Sequence, residues 1–320
     1  MPTKMPQPLG AVMSVVRFAV RHGLMPDPKK ALEKSHDERL AMLVPRLFCK
    51  PGPDVLTEDV VVDGRGGPIP ARVYRRADAA AGAPGILFIH GGAFMQGGVD
   101  FCDNVQRGLA HRTGAVVLGL SYRLAPDHPF PAALDDCVDV VEWMARTRPG
   151  GMDPDRIAIG GESAGGNLTV AVCLWARDHG GPRIAHQSVY YPFTDCSLRS
   201  ADWDNRNLMP GVDRAAGELM VKLYGGDRHA DPLVNVCAAD LHGLPPATVI
   251  TCGHDVLRED GFNLAASLKA AGVETLHTHY DDMPHGFLMF SRLTSRADES
   301  MDEMARETGK RRFAALLSTE

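Results

Sequence analysis

Apolar and polar positions change their period along the 320-residue chain, and the changes divide it. In residues 1–50 apolar positions recur at helical spacing over Leu9–Arg21 and Pro28–Leu47, with the breaker Met25-Pro26-Asp27-Pro28 between them. Val55–Val62 and Ile69–Arg75 read as strands joined through Asp63-Gly64-Arg65-Gly66-Gly67, a hairpin signal. From Gly85 onward the apolar runs become short and unbroken, at Ile86–Ile89, Ala115–Leu120 and Arg156–Ile159, and further strands read at Ser188–Tyr191, Ala247–Cys252 and Thr275–Tyr280. Helical spacing separates them, over Val105–Arg112, Ala133–Thr147, Asn167–Asp178 and Phe262–Ala271, with a helical end over Glu299–Leu317. Strands apolar on both faces that alternate with helices predict an α/β fold with a mostly parallel, doubly covered sheet. The alternation fails between Asp195 and Asp231, a stretch rich in Asp, Arg, Gly and Met with one helical piece, Arg214–Tyr224. That stretch reads as an insertion over the strand ends, forming a lid together with residues 1–50.

Composition narrows the class. A hydrophobic fraction of 44% with 23% charged residues suits a globular chain, and no apolar run reaches the roughly 20 residues of a membrane helix. The net charge of −6 is spread along the chain and gives no basic footprint, so no nucleic-acid partner is expected. The seven cysteines, at 49, 102, 137, 173, 196, 237 and 252, lack the close pairing of zinc or redox motifs and read as reduced structural thiols. Leu9–Val20 is interrupted by Arg17 and lacks a cleavage signal, so it reads as an amphipathic helix and the chain as cytoplasmic.

Candidate chemistry centres on Gly161-Glu162-Ser163-Ala164-Gly165, a Gly-x-Ser-x-Gly pattern where a strand gives way to a helix. Such a turn holds a serine on a strained elbow with its hydroxyl exposed. The pattern alone arises by chance in about one chain in ten of this length, so its context has to decide. A serine hydroxyl needs a base, and the base needs an anion to fix its tautomer. Asp255 follows the strand Ala247–Cys252 and His285 follows Thr275–Tyr280, both at strand ends and in the order Ser, Asp, His. Gly91-Gly92-Ala93, after Ile86–Ile89, offers backbone N–H donors for an oxyanion, and Ala164 adds another.

Several segments together resemble the hormone-sensitive-lipase-like (bacterial family IV) esterases of the α/β-hydrolase superfamily. They are His90-Gly91-Gly92-Ala93-Phe94, Tyr122 to Ala133, Gly161 to Gly166, Asp255 to Gly261 and His285-Gly286-Phe287, and the likeness runs from about residue 50 to 295. The resemblance implies an α/β-hydrolase fold, with an eight-stranded, mostly parallel central sheet flanked by helices. It divides the chain into N-terminal cap helices (1–50) and a catalytic domain (51–320) with a cap insertion around 195–231. It also implies a serine carboxylic ester hydrolase that uses no cofactor and no metal, and acts on short-to-medium acyl esters through an acyl-enzyme. Ser163 is then the nucleophile, His285 the base and acid, and Asp255 the orienting carboxylate. Gly91, Gly92, Ala93 and Ala164 form the oxyanion hole, with Gly91 shaping the loop. Relatives that dimerise at the corresponding edge suggest a homodimer through residues 275–280.

The chain departs from the family pattern in three places. Ala93 stands where the loop usually has a third glycine, and a Cβ there is penalised if φ is positive. Glu162 replaces the more common Asp, for no evident reason. Glu259-Asp260 inverts the usual order and makes Glu259 the alternative acid to Asp255. Phe94, Trp203, Leu208, Met209, Val212 and Phe18, with Met13, are candidate walls of an acyl pocket, each equally open to plain packing. His90 reads as an anchor of the glycine loop, His277 and His279 as a half-exposed strand face, and Asp135-Asp136 as carboxylates suited to a helix start. A silent small-ligand receptor on the same fold is the other class of function. Amidase, lactonase and deacetylase chemistry would use the same residues.

Overall fold

The computed structural model describes residues 2–24, 43–205, 208–210 and 212–307. The chain opens with α1 (Leu9–Arg21) and α2 (Leu43–Phe48). The rest of the predicted helix Pro28–Leu47 and the end of Glu299–Leu317 lie outside the described residues. The antiparallel hairpin β1 (Leu56–Gly64) and β2 (Gly67–Arg75) follows. Then come β3 (Pro84–Ile89), α3 (Asp103–Thr113), β4 (Val116–Leu120), α4 (Ala132–Thr147), β5 (Asp153–Glu162), α5 (Ala164–His179) and β6 (Ile184–Tyr190). After the insertion, which carries α6 (Arg214–Tyr224), the chain closes with β7 (Ala247–His254), α7 (Arg258–Ala270), β8 (Thr275–Pro284) and α8 (Arg296–Ala305).

The eight strands form one sheet in the order β1-β2-β4-β3-β5-β6-β7-β8, parallel from β4 through β8, with β2 antiparallel to β4. Strand alternation explains why the central runs are apolar throughout. In β3, Leu87 and Ile89 enter one core, with α4, α5 and α7, while Ile86 and Phe88 enter the other, with α1, α3 and α8. The same split holds for Ile157 and Ile159 against Ala158 in β5, and for Val249 against Ile250 in β7. Each such side chain contributes about 1.5–3 kcal/mol by leaving water, so both faces stabilise the sheet and hold its strand ends in register.

The insertion is rooted beside the nucleophile's own helix. Asn167, fully buried one turn into α5, donates from Nδ2 to the carbonyls of Phe193 (3.0 Å) and Val234 (2.8 Å), which flank the insertion. Cys196 N–H donates to Asn235 Oδ1 (2.9 Å) and Cys237 N–H to the Thr194 carbonyl (3.1 Å), so the two ends are stitched together. The N-terminal segment is tied down near the carboxyl ends of β7 and β8: Thr3 N–H donates to Asp281 (2.8 Å), and its carbonyl accepts from His254 Nε2 (2.7 Å).

Candidate active site

β5 ends at Glu162, and Ser163 turns the chain into α5 with φ 57° and ψ −117°, a backbone conformation that costs a non-glycine residue about 1–3 kcal/mol. The turn closes only because its flanking residues are glycines. A Cβ on Gly161 would lie 2.3 Å from the Gly165 carbonyl oxygen, and one on Gly165 would lie 2.1 Å from that of Ile89. The Ser163 carbonyl accepts from the N–H groups of Gly166, Asn167 and Phe193, and its own N–H donates to Tyr190, which fixes the elbow from both sides.

His285 leaves the end of β8 and brings Nε2 to 3.0 Å from Ser163 Oγ. Its Nδ1 lies 2.8 Å from Asp255 Oδ2, while Asp255 Oδ1 accepts from Leu257 N–H (2.8 Å). Asp255 is fully buried, and Glu259 is exposed in the first turn of α7. The alternative acid is thereby separated from the histidine. Burial pulls the pKa of His285 down, but the charges of Asp255 and Glu162 outweigh it, and the net shift is upward.

The loop after β3 passes through Gly92 (φ 98°), Ala93 (φ 57°) and Phe94 (φ 66°), three successive residues in the left-handed region. At Gly92 a Cβ would lie 2.1 Å from the Gln96 carbonyl oxygen, so glycine is required there. Ala93 pays the expected penalty, about 1–2 kcal/mol. The amides of Gly92, Ala93 and Ala164 have no hydrogen-bond partner among the described residues. Gly91 differs: its N–H donates to Glu162 Oε1 (2.8 Å), so it is not free to serve an oxyanion. Gly91 therefore shapes the loop as its anchor, apart from the three free amides. Glycine is needed there because a Cβ would meet the same Oε1 at 2.2 Å.

The loop is held from beneath. The His90 ring stacks on Tyr122 (4.2 Å, 9°), and its Nδ1 contacts the Gly91 carbonyl (2.7 Å). The Tyr122 hydroxyl donates to the carbonyls of His90 (3.1 Å) and Gly91 (3.2 Å). Burial lowers the His90 pKa to about 4, which keeps the ring neutral. Arg123, the next residue, clasps Asp136 with both carboxylate oxygens engaged. Asp136 is thus a buried ion-pair partner, which corrects its placement as a helix-dipole residue; Asp135 alone stands in the first turn of α4. Sequence reasoning missed the roles of Tyr122 and Asp136, whose partners lie far from them in the chain.

The candidate pocket residues separate by burial. Phe94 stacks on Tyr224 of the insertion (3.7 Å, 3°) and meets Phe193 edge-on (6.2 Å), which in turn meets Trp203 (6.4 Å). Phe94 and Trp203 are closed to solvent within this aromatic stack, and Leu208 is buried in the same core. Met209 and Val212 are half-buried against it. On α1, Met13 is buried and Phe18 is 58% exposed. His277 and His279 both contact Thr251 Oγ1 at 2.9 Å and flank Phe262 on a partly exposed strand face. No group of three or more His, Cys, Asp or Glu among the described residues is arranged to hold a metal ion.

Comparison with known proteins agrees with this geometry. Residues 86–289 match the family described as alpha/beta hydrolase fold. The chain is 36% identical to esterase LipI of Mycobacterium tuberculosis over 257 residues, covering 78% of this chain and 80% of that protein. It is also 36% identical to carboxylesterase NlhH of the same organism over 239 residues, covering 72% and 75%. A solved esterase of the bacterial hormone-sensitive lipase family superposes with a TM-score of 0.81 at 30% identity, covering 93% of this chain and 97% of that one.

Proposed function

The chain belongs to the hormone-sensitive-lipase-like esterases of the α/β-hydrolase superfamily and is a carboxylic ester hydrolase, and from that premise we propose that Ser163, His285 and Asp255 form its catalytic triad. The observation that carries the proposal is the continuous contact Ser163 Oγ to His285 Nε2 to Asp255, next to three unpartnered amides. Ser163 Oγ attacks the ester carbonyl carbon while its proton passes to His285 Nε2. The negative oxygen of the tetrahedral intermediate accepts from the N–H groups of Gly92, Ala93 and Ala164, each such donor being worth about 10²–10³ in rate. Collapse breaks the bond to the alcohol oxygen, which takes the proton from His285 and departs, leaving an acyl-Ser163. Water repeats the sequence and releases the acid. Asp255 keeps Nδ1 protonated and opposes the imidazolium charge.

Residues 1–50 and the 195–231 insertion act as the cap over the catalytic core of 51–320. The stack from Phe94 to Tyr224 supports this, because it joins the oxyanion loop to the insertion. Phe94 and Trp203, closed to solvent, support this wall from behind, and half-buried Met209 and Val212 with Ala93 form the surface met by a short-to-medium acyl chain. The outer edge of β8, with exposed Leu276 and Phe262, suits pairing with a second copy. A series of p-nitrophenyl esters from acetate to laurate, run beside a peptide and a lactone, tests the substrate reading. We expect kcat/KM to peak at about four to eight acyl carbons, the range in which an apolar site buries most of its ligand. A peak at laurate, or faster turnover of the peptide, would contradict it.

A further inference from the structure

Glu162 carries the one carboxylate at the elbow that the triad does not use. It is 3% exposed, at the end of β5, immediately before the nucleophile. A buried carboxylate costs several kcal/mol unless hydrogen bonds and charge compensate it. Its compensation comes from two directions. Oε1 accepts the Gly91 N–H at 2.8 Å, and the carboxylate occupies the space a side chain on Gly91 would fill. Glu162 immediately precedes Ser163, whose Oγ lies 3.0 Å from His285 Nε2, and the Tyr191 ring beside it packs edge-on against the imidazole (4.8 Å), so the carboxylate and a protonated His285 stabilise each other.

We propose that Glu162 is a positioning residue that couples the two halves of the machinery, anchoring the oxyanion loop through Gly91 and stabilising the imidazolium of His285 while the tetrahedral intermediate exists. This rests on the triad assignment above. One carboxylate then serves both partners of the intermediate: the loop that receives the oxyanion and the ring that receives the proton. The other titratable groups facing Glu162 are the Tyr191 phenol after β6, the Cys102 thiol before α3 and the Tyr122 phenol after β4. Burial raises the pKa of all three well above its ordinary value, so they stay neutral through the working range. Burial also pushes Glu162 upward, against the downward pull of His285, the Gly91 amide and the Tyr191 hydroxyl. Among the described residues facing this carboxylate, His285 is the one whose charge changes during turnover.

The choice of Glu at 162 follows. The Gly91 amide is reached by the longer acid, and a carboxylate withdrawn by one methylene, about 1.5 Å, lengthens that bond. Two variants therefore separate the two roles. Glu162→Gln keeps an acceptor for Gly91 and removes the charge. We expect the acid-limb midpoint of kcat/KM to fall by about one pH unit and kcat to drop about tenfold, with KM within twofold. Glu162→Asp keeps the charge and shortens the reach. We expect an unchanged midpoint with kcat lowered several-fold, so rescue of the pH profile by Asp but not by Gln is the signature.

An NMR titration of the His285 ring in Ser163→Ala, with and without Glu162→Gln, reads the charge coupling in the absence of turnover. An upward-shifted His285 that drops when Gln is introduced supports the proposal. A His285 titration and an acid-limb midpoint both unmoved by Gln would overturn it. So would a Gln variant that matches wild type in kcat. If instead Ser163→Ala retains activity, the triad assignment itself has failed, which keeps the two outcomes distinct. Should the Gln variant not fold, the Asp variant decides: a midpoint displaced as kcat falls would overturn the separation of roles.

Discussion

The strand-end loops and the insertion are built by different physics. At the strand ends, position comes from backbone geometry: a serine at φ 57°, glycines with no room for a Cβ, and a loop of consecutive left-handed residues, all set in register by a parallel sheet. The insertion has little regular structure of its own, and it is placed by long-range side-chain ties. Asn167 and Asp260 hold its ends, and the ring stack from Phe94 to Tyr224 holds its middle. The catalytic geometry is thus specified locally, whereas the cap over it is specified by contacts between distant parts of the chain. Changes in the first region should appear in rate, and changes in the second in stability and its pH dependence.

The largest effect is expected at the acid. Asp255→Asn should lower kcat by about 10⁴, the scale seen when a triad histidine loses its carboxylate partner, while Glu259→Gln should stay within about twofold because surface changes are nearly neutral. Steady-state kinetics on the two variants checks this, and a crippled Glu259 variant would reverse the assignment. Next comes a root of the insertion. Asp260 is 3% exposed and accepts N–H groups from Thr194 (2.8 Å) and Asp195 (3.0 Å). Burial, aided by the charges of Asp195 and Asp255, raises its pKa to about 7.

An aspartate whose pKa is higher in the folded state takes up a proton on folding. Its burial therefore weakens the fold progressively as pH rises from about 4, the unfolded value, to about 7. Three pKa units correspond to about 4 kcal/mol at most. Asp260→Asn should lose that dependence, so in urea denaturation its stability relative to wild type rises across the interval. A relative stability flat with pH would show that Asp260 is not buried as a carboxylate. The smallest effect is expected at Ala93: glycine there relieves about 1 kcal/mol of left-handed strain, with kcat changed less than about threefold. A loss of stability on Ala93→Gly would mean that the methyl group packs favourably enough to offset the strain.

What was legible in the sequence follows the same division. Strand-like runs located β3 to β7, and the order Ser163, Asp255, His285 was readable because each residue follows its own strand. Strand lengths were underestimated where polar residues close a strand, as in β5, which begins at Asp153 and ends at Glu162. The helix after β7 starts at Arg258, four residues before its apolar pattern, so Asp260 falls in its first turn and reaches back to Thr194. No local pattern encodes that bond, nor the pairing of Phe94 with Tyr224 or of Tyr122 with the glycine loop. Arg123 and Asp136 are 13 residues apart and join only once β4 and α4 are placed. How Gly91 shapes the loop was not readable, because only the fold brings Glu162 to its amide.

The central claim, that Ser163 is the nucleophile, is tested most directly by Ser163→Ala. A hydrolysis rate for p-nitrophenyl butyrate at the buffer background, in a protein whose thermal unfolding matches wild type, is the predicted result; retained turnover in the folded variant would contradict it.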